Sequence, residues 1–320
     1  MIGNRAVLVA GGAGFLGSAI AEAFLSKGDR VTVVDGLFPR TGGRVENLAG
    51  FIHQIEFLKM GLEAVPDLPT LLAAQDVIVD AMAWTSHHGA MENPEYDLEL
   101  NVRSHLKLLG AMGRRPRAKI ILLGSRGQFG RSSLAKIGEE ASQEPVDVQG
   151  IHKVAAESYF RVYALTRSLN VCALRLPNCF GPRQPISGTD IGLIGGFIRD
   201  LIAGKPIEIF GGDRRRSFAY CEDVASAVVG LADRSFEGFN RLNMAGDDIS
   251  IGELVGKLRA MVGGGHVNHA AEAPAAVKAM EVGSAAMAET RLREWLPGWQ
   301  KTELDEALNQ TILYFRGVFA

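Results

Sequence analysis

A glycine-rich string, GGAGFLG at residues 11–17, lies between a short apolar run and the start of a helical pattern. The run before it, residues 6–10, reads AVLVA and is typical of a buried strand, and residues 14–26 have helical periodicity. Glycines at this spacing allow a tight turn and bring backbone N–H groups close to a pyrophosphate at the helix N-terminus. The string therefore predicts a strand–turn–helix unit that binds a dinucleotide.

Further apolar runs alternate with helical patterns through the first half of the chain. Strands are predicted at residues 30–34, 55–58, 76–81 and 119–123, and long helices at about 95–112 and 150–166. Continuous apolar strands that alternate with helices predict an α/β fold with a doubly wound parallel Rossmann sheet. We expect a NAD-binding Rossmann domain at 1–176. Residues 177–320 would mainly form a smaller C-terminal substrate-binding α/β region, from which some strands and helices return to the core.

An acidic residue stands where a dinucleotide site needs one. Asp35 ends the second predicted strand, where its carboxylate can bind the ribose hydroxyls of adenosine. A carboxylate repels a 2′-phosphate, so NAD is favoured over NADP. Arg40 and Arg44 are close enough in sequence to keep NADP open.

Composition excludes several classes of function. A net charge of −2 over 320 residues gives no reason to expect a nucleic acid or an acidic membrane as partner. No run approaches the roughly 18 apolar residues of a membrane span, and the early glycines interrupt any signal helix. Three cysteines without C-x-x-C spacing indicate neither a disulfide framework nor a zinc site, so no metal is expected. The sequence predicts a cytoplasmic protein.

Several motifs besides the glycine string are shared with one large family. They are NP at 93–94 with NV at 101–102, LGSRGQFG at 123–130, RLPNCFGPRQ at 175–184, IFGGD at 209–213, RSFAY at 216–220 and DV at 223–224. With these motifs the chain resembles the extended short-chain dehydrogenase/reductase family, specifically its nucleotide-sugar epimerases and dehydratases. The resemblance covers nearly the whole chain.

The resemblance implies bound NAD and a nucleoside diphosphate-sugar in the cleft between the domains. It implies cofactor contacts from Gly11, Gly14, Phe15, Leu16, Gly17, Asp35, Ala81, Met82, Ala83, Lys153 and Pro177. It implies substrate contacts from His87, Ser125, Arg126, Asn178 and Arg216. An amide and a guanidinium suit the diphosphate. Asn178 as a loop-capping residue and Arg216 as a solvated surface residue remain alternatives.

The catalytic set of the family is incomplete here. Such enzymes generally use Ser or Thr, a Tyr, and a Lys four residues after the Tyr on one helix. Ser125 and Lys153 match, but Gln149 occupies the tyrosine position, and a carboxamide cannot take a hydroxyl proton. The chain therefore catalyses nothing, uses another base, or carries a deliberate Tyr→Gln change.

Histidines are the candidates for another base, because they titrate in the right range. His152 is three residues from Gln149, and His87 and His88 follow the fourth strand. Packing or loop roles for all three are the alternative. Cys179 could protonate or deprotonate a sugar carbon, but a small buried hydrophobe is its expected role.

Other departures bear on the reaction. Arg126-Gly127 replaces the Asp-Glu pair of the family's dehydratases, which disfavours dehydration, and Ser217 replaces an Asp. A later arginine of the family is absent near 270–274, where Lys278 is a conceivable substitute. The leading hypothesis is an NAD-dependent nucleotide-sugar epimerase-like enzyme. A catalytically silent binding protein, or a dehydratase or dehydrogenase of the same family, are the alternatives. We expect a homodimer through the helices near 95–112 and 150–166.

Overall fold

The computed structural model describes residues 4–114, 116–186, 191–270 and 286–319. The strands are β1 Ala6–Ala10, β2 Arg30–Val34, β3 Glu56–Leu58, β4 Val77–Asp80, β5 Lys119–Ser125, β6 Lys136–Ile137, β7 Asn170–Leu176, β8 Asn178–Phe180, β9 Ile207–Phe210, β10 Arg215–Tyr220, β11 Phe239–Asn243, β12 Asp247–Ser250, β13 Val267–Ala270 and β14 Ala286–Met287. The helices are α1 Phe15–Ser26, α2 Leu68–Ala73, α3 His87–Glu92, α4 Pro94–Leu98, α5 Ser104–Ala111, α6 Val148–Arg167, α7 Leu193–Ile202, α8 Cys221–Asp233, α9 Ile251–Val262, α10 Thr290–Trp295 and α11 Leu304–Phe319.

The central sheet confirms the predicted parallel Rossmann architecture. Within the described residues it has seven strands in the order β3-β2-β1-β4-β5-β7-β11, and each neighbouring pair is parallel. The order reverses direction between β1 and β4. Ligands of such sheets bind at the carboxyl ends of the strands beside this reversal.

Both faces of the sheet are covered, which explains why its strands are apolar throughout. Successive side chains of a strand point to opposite faces. In β1, Val7 and Val9 belong to the core on the side of α1 and α8, whereas Leu8 and Ala10 belong to the core on the side of α5 and α6. All four side chains are fully buried.

One of the two long predicted helices is continuous and the other is not. Helix α6 extends the prediction slightly, from its N-cap Asp147 to a left-handed Ser168 with φ of 57°. The helix predicted at 95–112 consists of α4, a π-helical turn at Glu99–Arg103, and α5. Its apolar periodicity continues through the turn, so the sequence pattern does not reveal the break.

The chain after β7 is divided between two places. Strands β8, β10 and β12 form a second, three-stranded sheet beside the main one. Helix α8 packs on α1, and β11 joins the edge of the main sheet next to β7. The end of β7 at Leu176 coincides with the predicted boundary after residue 176. The division into a domain at 1–176 and a second region at 177–320 stays a prediction.

An apolar stripe on α6 is left uncovered. Ile151, Tyr159, Val162 and Leu165 are exposed, Leu165 by 76%, and Leu98 on the neighbouring α4 is exposed as well. Among the described helices, none combines the length and the apolar character that crossing a membrane requires.

Candidate functional site

The loop between β1 and α1 makes a tight turn that requires glycine, because side chains at two of its positions would collide with backbone. Gly11 has a φ of +77°, and a methyl group there would lie 2.9 Å from the backbone of Ala81. A methyl group on Gly17 would overlap the carbonyl oxygen of Gly11. Helix α1 begins at Phe15, and among the described residues no side chain caps its first N–H groups. Those N–H groups are therefore available to an anion.

Asp35 lies at the end of β2 and helps to shape this loop. Its Oδ2 accepts a hydrogen bond from the N–H of Ala13 at 3.0 Å, and its Oδ1 accepts one from Leu37 at 2.8 Å. Burial raises the pKa of Asp35, and these two backbone hydrogen bonds oppose the rise. Arg40 and Arg44 do not line the cavity described below, within the part of the chain that the structure describes.

One cavity of about 550 Å³ runs from the glycine loop across the carboxyl ends of the central strands to the second sheet. It brings most of the predicted site residues to one place, although they come from distant parts of the chain. Its lining includes Gly11, Gly14, Phe15, Leu16, Gly17, Asp35, Ala81, Met82, Ala83, His87, Ser125, Gln149, Lys153, Pro177, Asn178 and Arg216.

The three residues at the expected catalytic positions all reach this cavity. Ser125 ends β5, and its Oγ accepts a hydrogen bond from the N–H of Gly127 at 3.0 Å. Gln149 and Lys153 lie one helical turn apart on α6, so both face the cavity. The Gln149 amide donates from Nε2 to the carbonyl oxygen of Trp84 at 3.1 Å. This hydrogen bond holds the Gln149 side chain, at the position of the family's tyrosine, against the backbone of Trp84.

Lys153 is a buried amine in an acidic neighbourhood. Burial lowers its pKa, and the charges of Asp80 and Asp97 act in the opposite direction. Asp80 pairs with the buried His105, from Oδ2 to Nδ1 at 2.7 Å. The amine is thus easier to deprotonate than an exposed lysine.

Two of the three histidine candidates lie outside the lining of the cavity, within the described residues. Nδ1 of His152 lies 2.5 Å from Oδ2 of Asp97. His88 is exposed on α3, and its Nε2 lies 3.2 Å from Oε1 of Glu92, one turn further along the helix. Neither histidine is among the described residues that line the cavity. The geometry therefore favours packing and surface roles for this pair.

His87, in contrast, lines the cavity and is paired with a carboxylate. Its Nδ1 lies 2.7 Å from Oδ2 of Asp147, whose side chain is only 4% exposed. The other oxygen of Asp147 accepts the N–H of Gly150 at 2.7 Å and so caps α6. Asp147 was missed by the sequence analysis. An Asp before a helix indicates an N-cap, and nothing in the sequence connects it to a histidine 60 residues earlier.

The far end of the cavity is basic. Asn178 on β8 pairs in register with Phe218 on β10, and Arg216 lies on β10 as well. Arg214 also lines the cavity, and the sequence analysis did not select it. Arg215 points elsewhere and binds Asp248, because alternate residues of a strand face opposite sides. Two arginines, rather than one, therefore line this end.

The other predicted substrate-side residues are arranged differently. Arg126 does not line the cavity, and its Nη1 donates to the carbonyl oxygen of Gly130 at 2.9 Å. Cys179 does line the cavity, and burial raises the pKa of its thiol to about 12, so it remains protonated at neutral pH. Lys278 lies outside the described residues.

Comparison with known proteins identifies a family. The model of the NAD dependent epimerase/dehydratase family matches residues 7–252 of the chain. A UDP-glucose 4-epimerase of Mycolicibacterium smegmatis is 30% identical over 319 residues, which are 97% of this chain and 98% of that protein.

Solved structures show the same fold over the whole chain. The structure of a UDP-N-acetylglucosamine 4-epimerase from Methanobrevibacter ruminantium, in complex with UDP-N-acetylmuramic acid, superposes with a TM-score of 0.89 at 24% identity. That match covers 99% of this chain and 100% of the other. A Thermus thermophilus UDP-glucose 4-epimerase in complex with NAD gives a TM-score of 0.81 at 25% identity, covering 98% and 99% of the two chains.

Proposed function

Since the chain belongs to the NAD dependent epimerase/dehydratase family, we propose that it is a nucleotide-sugar epimerase that works without the usual tyrosine. The observation that carries the proposal is the shared cavity. The glycine loop, the Ser125–Gln149–Lys153 set and two arginines all border the same space. A cofactor bound at the loop and a sugar bound near Ser125 would therefore be in contact.

NAD is the cofactor, and the residues of the cavity fit it. Glycines at 11 and 17 allow the tight turn, since side chains there would collide with backbone, and the uncapped N-terminus of α1 offers N–H donors to the pyrophosphate. Asp35 would hold the adenosine ribose, and Lys153 the ribose of the nicotinamide. NAD supplies reversible acceptance of a hydride from the sugar carbon.

The residues of the chain would then bind and orient the sugar. Ser125 Oγ would hold the reacting hydroxyl, since it ends β5 at the cavity. Lys153, which burial makes easier to deprotonate, lies on the same helical face as Gln149. The Gln149 amide can donate a hydrogen bond to an oxygen but cannot accept its proton.

The basic end of the cavity suits the diphosphate of a nucleotide-sugar. Arg214 and Arg216 border it together with Asn178, which can donate from its amide. Guanidinium groups pair two phosphate oxygens at once and so position the nucleotide. The similar proteins act on, or are bound to, UDP-sugars, which makes a UDP-sugar the first substrate to test.

A catalytically silent binding protein is the second candidate function. The hydrogen bond from Gln149 to the Trp84 carbonyl favours it, because it gives this position a structural partner. A silent protein would bind NAD and a nucleotide-sugar in the same cavity and convert neither.

A homodimer through α4, α5 and α6 is part of the proposal. The exposed Ile151, Tyr159, Val162 and Leu165 form an apolar stripe on α6 that a second copy would cover. A cytoplasmic location is also proposed, supported by cysteines that form no disulfide.

The experiment is a calorimetric titration of the NAD-loaded protein with UDP-, dTDP-, GDP- and CDP-sugars, followed by NMR analysis of products. We expect one nucleotide class to bind and its sugar to be converted. Lys153→Ala should lower turnover at least about 100-fold, since it removes a charged group from the reacting centre. Lys205→Ala, a change at an exposed lysine between α7 and β9, is the matched control. Binding without conversion would establish the silent protein, and no binding would refute both functions.

A further inference from the structure

His87 and Ser125 both line the cavity, and their side chains approach each other beside Gly127. A methyl group placed on Gly127 would lie 3.3 Å from Ser125 Oγ and 3.6 Å from Cε1 of His87. A sugar hydroxyl bound to Ser125 Oγ is therefore near the imidazole edge of His87. The His87 side chain is 48% exposed and lines the cavity, so a ligand can reach it.

Asp147 fixes which nitrogen of His87 carries the proton. Burial raises the pKa of Asp147, but the hydrogen bond and charge of His87 and the N–H of Gly150 outweigh it, leaving the pKa below its ordinary value. The ionised carboxylate only accepts hydrogen bonds, so Nδ1 of His87 must be the donor. The lone pair of the neutral imidazole is then at Nε2.

We propose that His87 is the general base of this enzyme and does the work that the tyrosine does in related enzymes. The inference rests on the proposed function. Nε2 of His87 would take the proton of the reacting sugar hydroxyl, and Asp147 would stabilise the imidazolium. NAD would supply reversible acceptance of the hydride of that carbon, and Nε2 would give the same proton back when the carbon is reduced again.

The other two histidine candidates are excluded as bases by their positions, and Cys179 is excluded by its protonation. His88 pairs with Glu92 on the surface, and His152 pairs with Asp97, both outside the cavity lining. Cys179 lines the cavity, but burial keeps its thiol protonated. Of the three histidines predicted as candidate bases from the sequence, only His87 lines the cavity within the described part of the chain.

Asp147 is a positioning residue, and one substitution separates its two roles. Asp147→Asn retains an oxygen that can accept the N–H of Gly150 and cap α6. Its amide would donate to Nδ1 of His87 and so move the imidazole proton to Nε2. The corresponding change in serine protease triads lowers the rate about 10⁴-fold through the wrong tautomer.

The first test measures hydride transfer in a single turnover, together with the affinity for the nucleotide-sugar. His87→Gln should slow the transfer by about 10²–10⁴-fold, the usual contribution of a general base. The dissociation constant of the nucleotide-sugar from His87→Gln should differ from the wild-type value by less than about threefold, because binding is separate from proton transfer. His88→Gln, the neighbouring exposed histidine, should behave like the wild type. Equal transfer rates in His87→Gln and wild type would overturn the proposal.

Two further measurements exclude a merely structural role. Free imidazole should raise the rate of hydride transfer in His87→Ala at least about tenfold over the rate without imidazole, since it supplies the missing base. Nitrogen NMR of the substrate-free protein should find the His87 proton on Nδ1 in the wild type and on Nε2 in Asp147→Asn. No rescue, or the same tautomer in both proteins, would refute the assignment.

The outcomes distinguish this inference from the proposed function. If the wild type turns over nucleotide-sugars and His87→Gln does so at the same rate, His87 is not the general base, and the proposed epimerase function is unaffected. A wild type that binds nucleotide-sugars without turnover would refute both.

Discussion

Arg175 donates two hydrogen bonds to Glu157, from Nε to Oε2 at 2.8 Å and from Nη2 to Oε1 at 2.5 Å. Both side chains are buried, with Glu157 on α6 and Arg175 on β7. Gln128 donates to the same carboxylate at 2.7 Å and accepts the N–H of Ser125 at 2.8 Å. The Glu157 carboxylate therefore connects the helix that carries Gln149 to β7 through Arg175, and to Ser125 at the end of β5 through Gln128.

Removing this carboxylate should destabilise the fold. Glu157→Gln leaves a buried guanidinium without its counter-ion, so we expect the free energy of unfolding to fall by about 3–5 kcal/mol at pH 7. Burial raises the pKa of Glu157, but Arg175, Gln128 and Arg241 outweigh it and leave the pKa lowered. The stabilisation is thus complete above the unfolded pKa of about 4.3 and is lost as the pH falls through the lower folded pKa.

Urea denaturation at several pH values measures this difference. Glu140→Gln is the control, because the exposed Glu140 pairs with Arg241 and Arg291 at the surface. It should change the free energy of unfolding by at most about 1 kcal/mol. A difference between Glu157→Gln and wild type that stays constant down to acid pH would contradict the assignment of charge.

Gly11→Ala should weaken cofactor binding. The substitution forces a side chain into positive φ and against the backbone of Ala81. We expect the affinity for NAD, measured by calorimetry, to fall at least about tenfold, which corresponds to about 1.4 kcal/mol. Gly256→Ala on α9 is the control, since a methyl group there meets no heavy atom within 4 Å in the described structure. It should leave NAD binding unchanged.

A tyrosine at position 149 should rescue the loss of His87. Gln149→Tyr removes the hydrogen bond to the Trp84 carbonyl, but Asn101 Nδ2 still donates to that oxygen at 2.8 Å, so the fold should tolerate the change. In the His87→Gln background, a phenol beside Lys153 supplies a new base and should raise the rate at least about tenfold. Single-turnover rates of the double variant decide this. A double variant as slow as His87→Gln would show that the phenol cannot reach the sugar.

A charge on the apolar stripe of α6 should separate the proposed dimer. Val162→Glu places a carboxylate in the middle of the surface that a second copy would cover, and a buried unpaired charge is costly. Light scattering coupled to size exclusion should report a dimer for the wild type and a monomer for the variant. Leu313→Glu, at a similarly exposed position of α11, should remain dimeric. A monomeric wild type would refute the proposed interface.

Features that depend on short stretches of sequence were predictable. The glycine string, Asp35 and the spacing of Gln149 and Lys153 are each set within one strand–turn–helix unit or one helix, where residue type and spacing determine geometry. The parallel sheet follows in the same way from its apolar strands. All of these features are present in the structure.

Features that depend on tertiary contact were not predictable. Asp147 pairs with His87 across 60 residues, and Asp97 pairs with His152 across 55 residues. A single sequence does not show which residues so far apart in the chain come into contact in the fold. The π-helical turn at Glu99–Arg103 is similarly hidden, because both sides keep the same apolar face.

The return of β11 to the edge of the main sheet has a consequence for protein engineering. The proposed substrate side of the cavity uses β8 and β10, but the segment that follows them contains α8, which packs on α1, and β11, which joins the main sheet. Exchanging everything after residue 176 with a relative would therefore also replace an edge strand and the helix that packs on α1. Transfer of sugar specificity between relatives should succeed only when the exchanged pieces are cut on both sides of α8 and β11.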